Sequence, residues 1–364
     1  MKPSLFGIKN SNRDLSEKEA WGKNQFNNNF PISLINYMAS KKLESVYIKL
    51  SSNNTTYHDF IDIFELFGES YTNKFLYFGF ETPYLPFQRF SKGSIPRADI
   101  TTILLGKNNK DDKVLSSLEI KLTALPDHTT CDLNENEYSC EIVIRPDTIV
   151  YLAFSLVENW KDKPSELYKH LSEVEKNIKD LTDEKEVKKH FQLVLDTLDK
   201  ILKLTRDNQK PLILQPVWKT IGKSPKLANN CLDSFVWSDH AFAKLFINES
   251  RHSSSNNLNR LNRTCIWLYA MLLDFSKNKM INHKNIIDTI TFNTKNDKAF
   301  SLSGKKTYKY LNCNILTQPR IKIGEIQNII LGGGEKFLSP ERRFDSAIVS
   351  APGLFERNDE NEKN

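Results

Sequence analysis

Two segments in the middle of the chain, ADITTILL at 98–105 and SSLEIKL at 116–122, restrict the fold more than any other stretch. The first is rich in β-branched residues. The second alternates: Leu118, Ile120 and Leu122 fall on one face, Glu119, Lys121 and Thr123 on the other. GKNNKDDK between them is turn chemistry, so the pair predicts an antiparallel hairpin. KFLYFGF (74–80) predicts a buried strand before it, CEIVIRP (140–146) a third strand after it, and PLILQPVW (211–218) a return to strand.

Helical spacing surrounds this centre. PISLINYMASKKL (31–43) opens on a proline suited to a helix start, and SVYIKLSS (45–52) alternates as a strand. TTYHDFIDIFELFGES predicts a helix capped by Thr55 or Thr56 and stopped at Gly68. DTIVYLAFSLVENW (147–160) reads as a buried helix, and 164–210 as a charged helical hairpin with an apolar inner face. Further helices are expected at 238–248, 260–276 and 283–290, with short strands over 298–324. The expected class is α/β (α+β): a central mixed sheet flanked by helices, with a helical hairpin insertion. The expected divisions are 1–163, an N-terminal arm and core; 164–210, the hairpin; and 211–364, the rest of the core and a basic region.

A chain of 364 residues has room for one large domain or two ordinary ones. No apolar run reaches the roughly 18–20 residues of a membrane span, and the polar N-terminus lacks the pattern of a secretory signal. The expectation is a cytoplasmic protein. Cys131, Cys140, Cys231, Cys265 and Cys313 include no C-x-x-C pair and read as reduced thiols. Net charge is +6, but residues 211–350 hold 20 Lys or Arg against 10 Asp or Glu. That excess suits either a polyanionic partner or a solvated basic face. The glycines of LGGGEKFLSPERR lack the spacing of a phosphate-binding loop and read as a turn.

Glu119 and Lys121 share one strand face within an apolar alternation, unlike the E-x-K at Glu186/Lys188 in the charged helical region. Asp99 opens the preceding strand, where a hairpin brings it near Glu119. Two such carboxylates repel unless a cation lies between them. Mg²⁺ suits the pair, because it takes one or two carboxylates and leaves room for water and phosphate oxygens. A neighbouring lysine then helps to orient or deprotonate the attacking water. The bland alternative is a surface salt bridge. A rival set, Pro126-Asp127 with Glu141, lacks the lysine. Glu65, Glu69 or Glu81 could add a further acid. His58, His128 and His240 adjoin an Asp but sit in no recognisable nucleophile motif.

The order Pro96…Asp99…Glu119-Ile120-Lys121 resembles the PD-(D/E)xK nucleases, although the adjacent Pro-Asp of that motif is absent. FETPYLPFQRF, GSIPRADITTILL, SSLEIKLTALPD and IRPDTIVYLAFSL together are similar to HindVP-type type II restriction endonucleases. The resemblance implies a Mg²⁺-dependent homodimer cutting double-stranded DNA at a short palindrome, expected to be GRCGYC. A companion DNA methyltransferase is implied too. It assigns Asp99 and Glu119 to the metal and Lys121 to catalysis. DNA contacts are expected among Lys219, Lys223, Lys226, Arg251, Arg260, Arg263, Lys305, Lys306, Lys309, Arg320, Arg342 and Arg343. The alternatives are a non-catalytic DNA-binding protein with a degenerate nuclease fold and a Mg²⁺ enzyme for another phosphate ester.

Overall fold

The computed structural model describes residues 41–62, 76–104, 113–120, 142–207, 211–221, 226–252, 258–292 and 300–302, with isolated positions 34, 37, 38, 106, 321, 322 and 325. Strands β1 (Glu44–Leu50), β2 (Thr56–Asp62), β3 (Leu76–Thr82), β4 (Ala98–Leu104) and β5 (Lys113–Ile120) come first. They are followed by β6 (Ile142–Ile144), β7 (Pro211–Ile221), β8 (Lys226–Ser238), β9 (Phe300–Leu302) and β10 (Ile321–Lys322). One sheet runs in the order β2-β1-β8-β7-β5-β4-β3, with β10 beside β8. β4 and β5 form the expected antiparallel hairpin, and β3 adds to β4 antiparallel. The joins β5–β7 and β1–β8 are parallel, so the sheet is mixed.

A parallel join cannot be closed by a tight turn and needs a crossover, usually helical. Between β5 and β7 the chain supplies α1 (Pro146–Glu158), α2 (Pro164–Asn177) and α3 (Glu184–Leu204). Pro146 stands in the first turn of α1, where its missing N–H costs nothing. Every residue from Thr148 to Val157 is buried, as an all-round apolar helix requires. α2 and α3 form the predicted hairpin. Asp183 caps α3 by accepting from the Lys185 and Glu186 N–H groups, and Val187, Phe191, Val194, Leu198 and Ile201 face inward. After β8 come α4 (Asp239–His252), α5 (Arg260–Asn278) and α6 (His283–Thr289), close to the predicted ranges. The hairpin, α1, α4 and α5 share one hydrophobic cluster with Val46, Ile48, Ala98 and Trp237 of the sheet. Tyr269 of α5 donates to the Leu171 carbonyl of α2 at 3.1 Å, which ties the hairpin into that layer.

Three local readings change. TTYHDFID is not the start of a helix: residues 56–62 are β2, paired to β1 along its whole length. The turn that makes this possible is closed by Asn54, at φ +59°, and by the Ser51 N–H to the Thr55 carbonyl at 2.9 Å. Cross-strand backbone bonds thus override the helical spacing of Phe60 and its neighbours, and Phe60 stays 40% exposed. Residues 63–69 of that predicted helix lie outside the described ones. β6 pairs with β9 in a separate two-stranded sheet rather than extending the central one. β8 was not expected, because KLANNCLDSFVWS starts with residues poor in strand propensity. Its long ladder to β7 supplies the order that local propensity lacks. Among the described residues no helix is long and apolar enough to cross a membrane.

Candidate active site

Burial alternates along the start of β4: Arg97 is exposed, Ala98 buried, Asp99 half-buried and Ile100 buried. Ala98 joins the hydrophobic cluster, so Asp99 lies on the opposite face. β5 follows the same rule, with Leu118 inside at 2% exposure and Glu119 on the other side. Ile100 pairs with Leu118 and Thr101 with Ser117, so one further step of that register sets Asp99 opposite Glu119. On the other flank Phe80 pairs with Ile100 and Thr82 with Ala98, which brackets Glu81 opposite Asp99. Glu81, Asp99 and Glu119 therefore occupy one row across three adjacent strands. Glu119 closes the row next to Ile213 of β7. It is only 9% exposed, a position where an uncompensated carboxylate is costly.

The row is braced from below. Gly79 faces Thr101, one row further along, and a Cβ there would meet the Thr101 and Thr82 Oγ1 atoms at 2.8 Å. The two threonine hydroxyls are 2.5 Å apart. This close approach explains a glycine inside a strand.

The segment leading into Asp99 is fixed from the helical layer. The Tyr151 hydroxyl on α1 donates to the Pro96 carbonyl at 2.8 Å and accepts from the Tyr84 N–H at 3.0 Å. Burial pushes this hydroxyl up to about 12; the Tyr84 hydrogen bond opposes that rise, and the negative charges of Glu119 and Asp147 add to it. Tyr151 is thus a neutral donor held near the carboxylate row. Sequence reasoning passed over it, although a polar-tipped ring in an apolar helix normally has a bonded partner. Upstream, Phe90 accepts from the Ile281 N–H at 2.7 Å and Lys92 donates to the Ile281 carbonyl at 3.0 Å. We expect Tyr151→Phe to cost about 1–3 kcal/mol, because the buried Tyr84 N–H and the half-buried Pro96 carbonyl lose their partner. Thermal unfolding checks this.

The other expected residues are scattered. Lys121 lies outside the described residues, as do Asp127, Glu141, Glu65, Glu69, His128, Lys223, Lys305, Lys306, Lys309, Arg320, Arg342 and Arg343. Lys219 lies on β7, Lys226 opens β8 and Arg260 opens α5. Arg251 is paired with Asp196 at 2.6 Å. Arg263 must be withdrawn from the DNA contacts: it is 2% exposed, donates from Nη1 to the Phe292 carbonyl at 3.0 Å, and lies 4.7 Å from the Trp267 ring centroid. Its guanidinium is packed inside the helical layer. Arg263→Ala should therefore lower stability by about 1–3 kcal/mol and leave DNA affinity per folded molecule unchanged. Chemical denaturation and a binding titration separate the two.

His240 is 1% exposed, and its Nδ1 is 3.7 Å from Asp207 Oδ1. Burial lowers its pKa against the pull of Asp207, so the ring is neutral and structural. Cys265 is buried, and its thiol is pushed up to about 12 by desolvation, which leaves it unreactive at neutral pH. Among the described side chains no group of three or more His, Cys, Asp or Glu could hold a metal by itself. Two facing carboxylates suit an ion that completes its shell with water and phosphate oxygens.

A mixed sheet with an antiparallel β3-β4-β5 series, a helical crossover and a parallel β7, carrying acids at the ends of β4 and β5, defines a restriction-endonuclease-like protein. The profile of the HindVP restriction endonuclease family matches residues 21–355. The chain is 45% identical over 355 residues to the type II restriction enzyme HgiDI of Herpetosiphon aurantiacus, covering 98% of each. It is 44% identical over 359 residues to the probable type II restriction enzyme HindVP of Haemophilus influenzae, covering 98% of this chain and 96% of the relative. No solved structure matches significantly. The chain belongs to the HindVP restriction endonuclease family and is a site-specific endonuclease.

Proposed function

We propose that this endonuclease hydrolyses phosphodiester bonds of double-stranded DNA at a short palindrome, with Asp99 and Glu119 holding Mg²⁺ and Lys121 assisting the attacking water. The observation that carries this reading is the register that sets Asp99 opposite Glu119, with the chain running on through Ile120 to Lys121. Glu81, bracketed opposite Asp99, is the further acid that the strand pairing favours. Asp99 and Glu119 would hold Mg²⁺, which would supply positive charge for the phosphate oxygens and acidify a water. Asp99 and Glu119 orient that charge, and the Lys121 amine is available to position the water or take its proton. A palindromic target implies a two-fold homodimer. The α2–α3 hairpin is the surface we assign to it, because its outer face is exposed and charged while its inner face is committed to the core. GRCGYC is the expected site, with a methyltransferase protecting it in the same cell and the enzyme working in the cytoplasm.

The test is digestion of several unmethylated plasmids with Mg²⁺, with the ends mapped by sequencing. Discrete fragments ending at one palindrome support the reading. A folded protein that binds these plasmids without cutting them across divalent metals would point instead to a degenerate, non-catalytic nuclease fold.

A further inference from the structure

The residue two positions before Asp99 is an arginine at the entry to β4. Arg97 stands just before β4, separated from Asp99 by the buried Ala98, and is exposed. A second exposed arginine stands nearby. Arg145 is the last residue before α1 and has an extended backbone. Tyr151 lies six residues along that helix, about 9 Å at 1.5 Å per residue, and its hydroxyl is bonded to the Pro96 carbonyl. That bond ties α1 to the segment leading into Asp99, and the two segments each carry one exposed arginine.

Neither guanidinium has an ion pair or hydrogen bond among the described residues. This contrasts with Arg89, which holds Glu158 at 3.0 Å, and Arg251, which holds Asp196 at 2.6 Å. Exposed arginines at the margin of a carboxylate row suit a ligand that brings its own negative charge. A guanidinium fork matches phosphate oxygens geometrically and stays charged at any working pH.

We propose that Arg97 and Arg145 bind the DNA backbone phosphates flanking the scissile bond. This rests on the reading of Asp99 and Glu119 as the cleavage site, and it adds phosphate contacts in the acidic half of the chain, outside the basic C-terminal region. The contacts set the position of the strand over the carboxylates and carry no sequence information.

The experiment measures binding of a short duplex carrying GACGTC in EDTA, so that no strand is cut, across a range of salt concentrations. Each phosphate contact released lowers the magnitude of the slope of log K against log salt by about 0.9. Arg97→Ala and Arg145→Ala should each show that loss, Arg97→Lys should restore most of the slope, and Arg89→Ala should leave it unchanged. Arg97 and Arg145 are exposed, so their variants are expected to fold, and thermal unfolding checks this. Wild-type slopes in both alanine variants, in a protein whose parent binds and cuts DNA, would overturn the arginines' role alone. A wild-type protein that binds no duplex would overturn the parent reading and this one with it.

Discussion

Glu119→Gln should give a folded protein that still binds DNA and no longer cuts it. The amide has the shape of the carboxylate, so the packing around a side chain only 9% exposed is kept. What disappears is the negative charge facing Asp99. Changes in the second sphere of a metal already cost about 10–100-fold in affinity or activity, so if Glu119 holds Mg²⁺ as proposed its loss should lower the cleavage rate by at least about 100-fold. Mg²⁺ should raise the melting temperature of the wild type by mass action and that of the variant much less. Calorimetry with and without Mg²⁺, run beside plasmid cleavage, tests both. Cleavage at the wild-type rate would remove Glu119 from the site.

The largest stability effect is expected at Phe154. It is fully buried in the middle of α1, with ring contacts to Phe87 at 5.8 Å, Tyr151 at 6.4 Å and His283 at 6.1 Å between centroids. Phe154→Ala would leave a cavity among rigid aromatic neighbours that cannot collapse to fill it. The cost should be about 3–5 kcal/mol by denaturant titration, against about 1.5 kcal/mol or less for Phe154→Leu. Because α1 also carries Tyr151, the alanine variant should lose activity at temperatures where it remains folded. An alanine variant as stable as the leucine one would mean that the cluster relaxes more than its packing suggests.

The β4–β5 hairpin was legible because its signal is local. Period-two alternation in SSLEIKL fixed which residues share a face with Glu119, and the turn chemistry of GKNNKDDK fixed that β4 and β5 are antiparallel neighbours. The apolar run of α1 and the amphipathic run of α2 and α3 likewise declare their own conformation. β2 shows the limit. Its spacing suits a helix as well as a strand, and only the backbone of β1 decides between them.

Arg263 shows the same limit for charge. A count of basic residues places it on a DNA-facing surface, whereas the Phe292 carbonyl and the Trp267 ring hold it inside. The sequence by itself determined the β4–β5 hairpin and the helices of the packed layer, because side-chain periodicity and turn preference act over a few residues. Only the tertiary structure decided that Glu81, Asp99 and Glu119 stand in one row and that Tyr151 fixes the segment before Asp99. Those relations depend on hydrogen-bond register and packing between segments far apart in the chain, which no local pattern encodes.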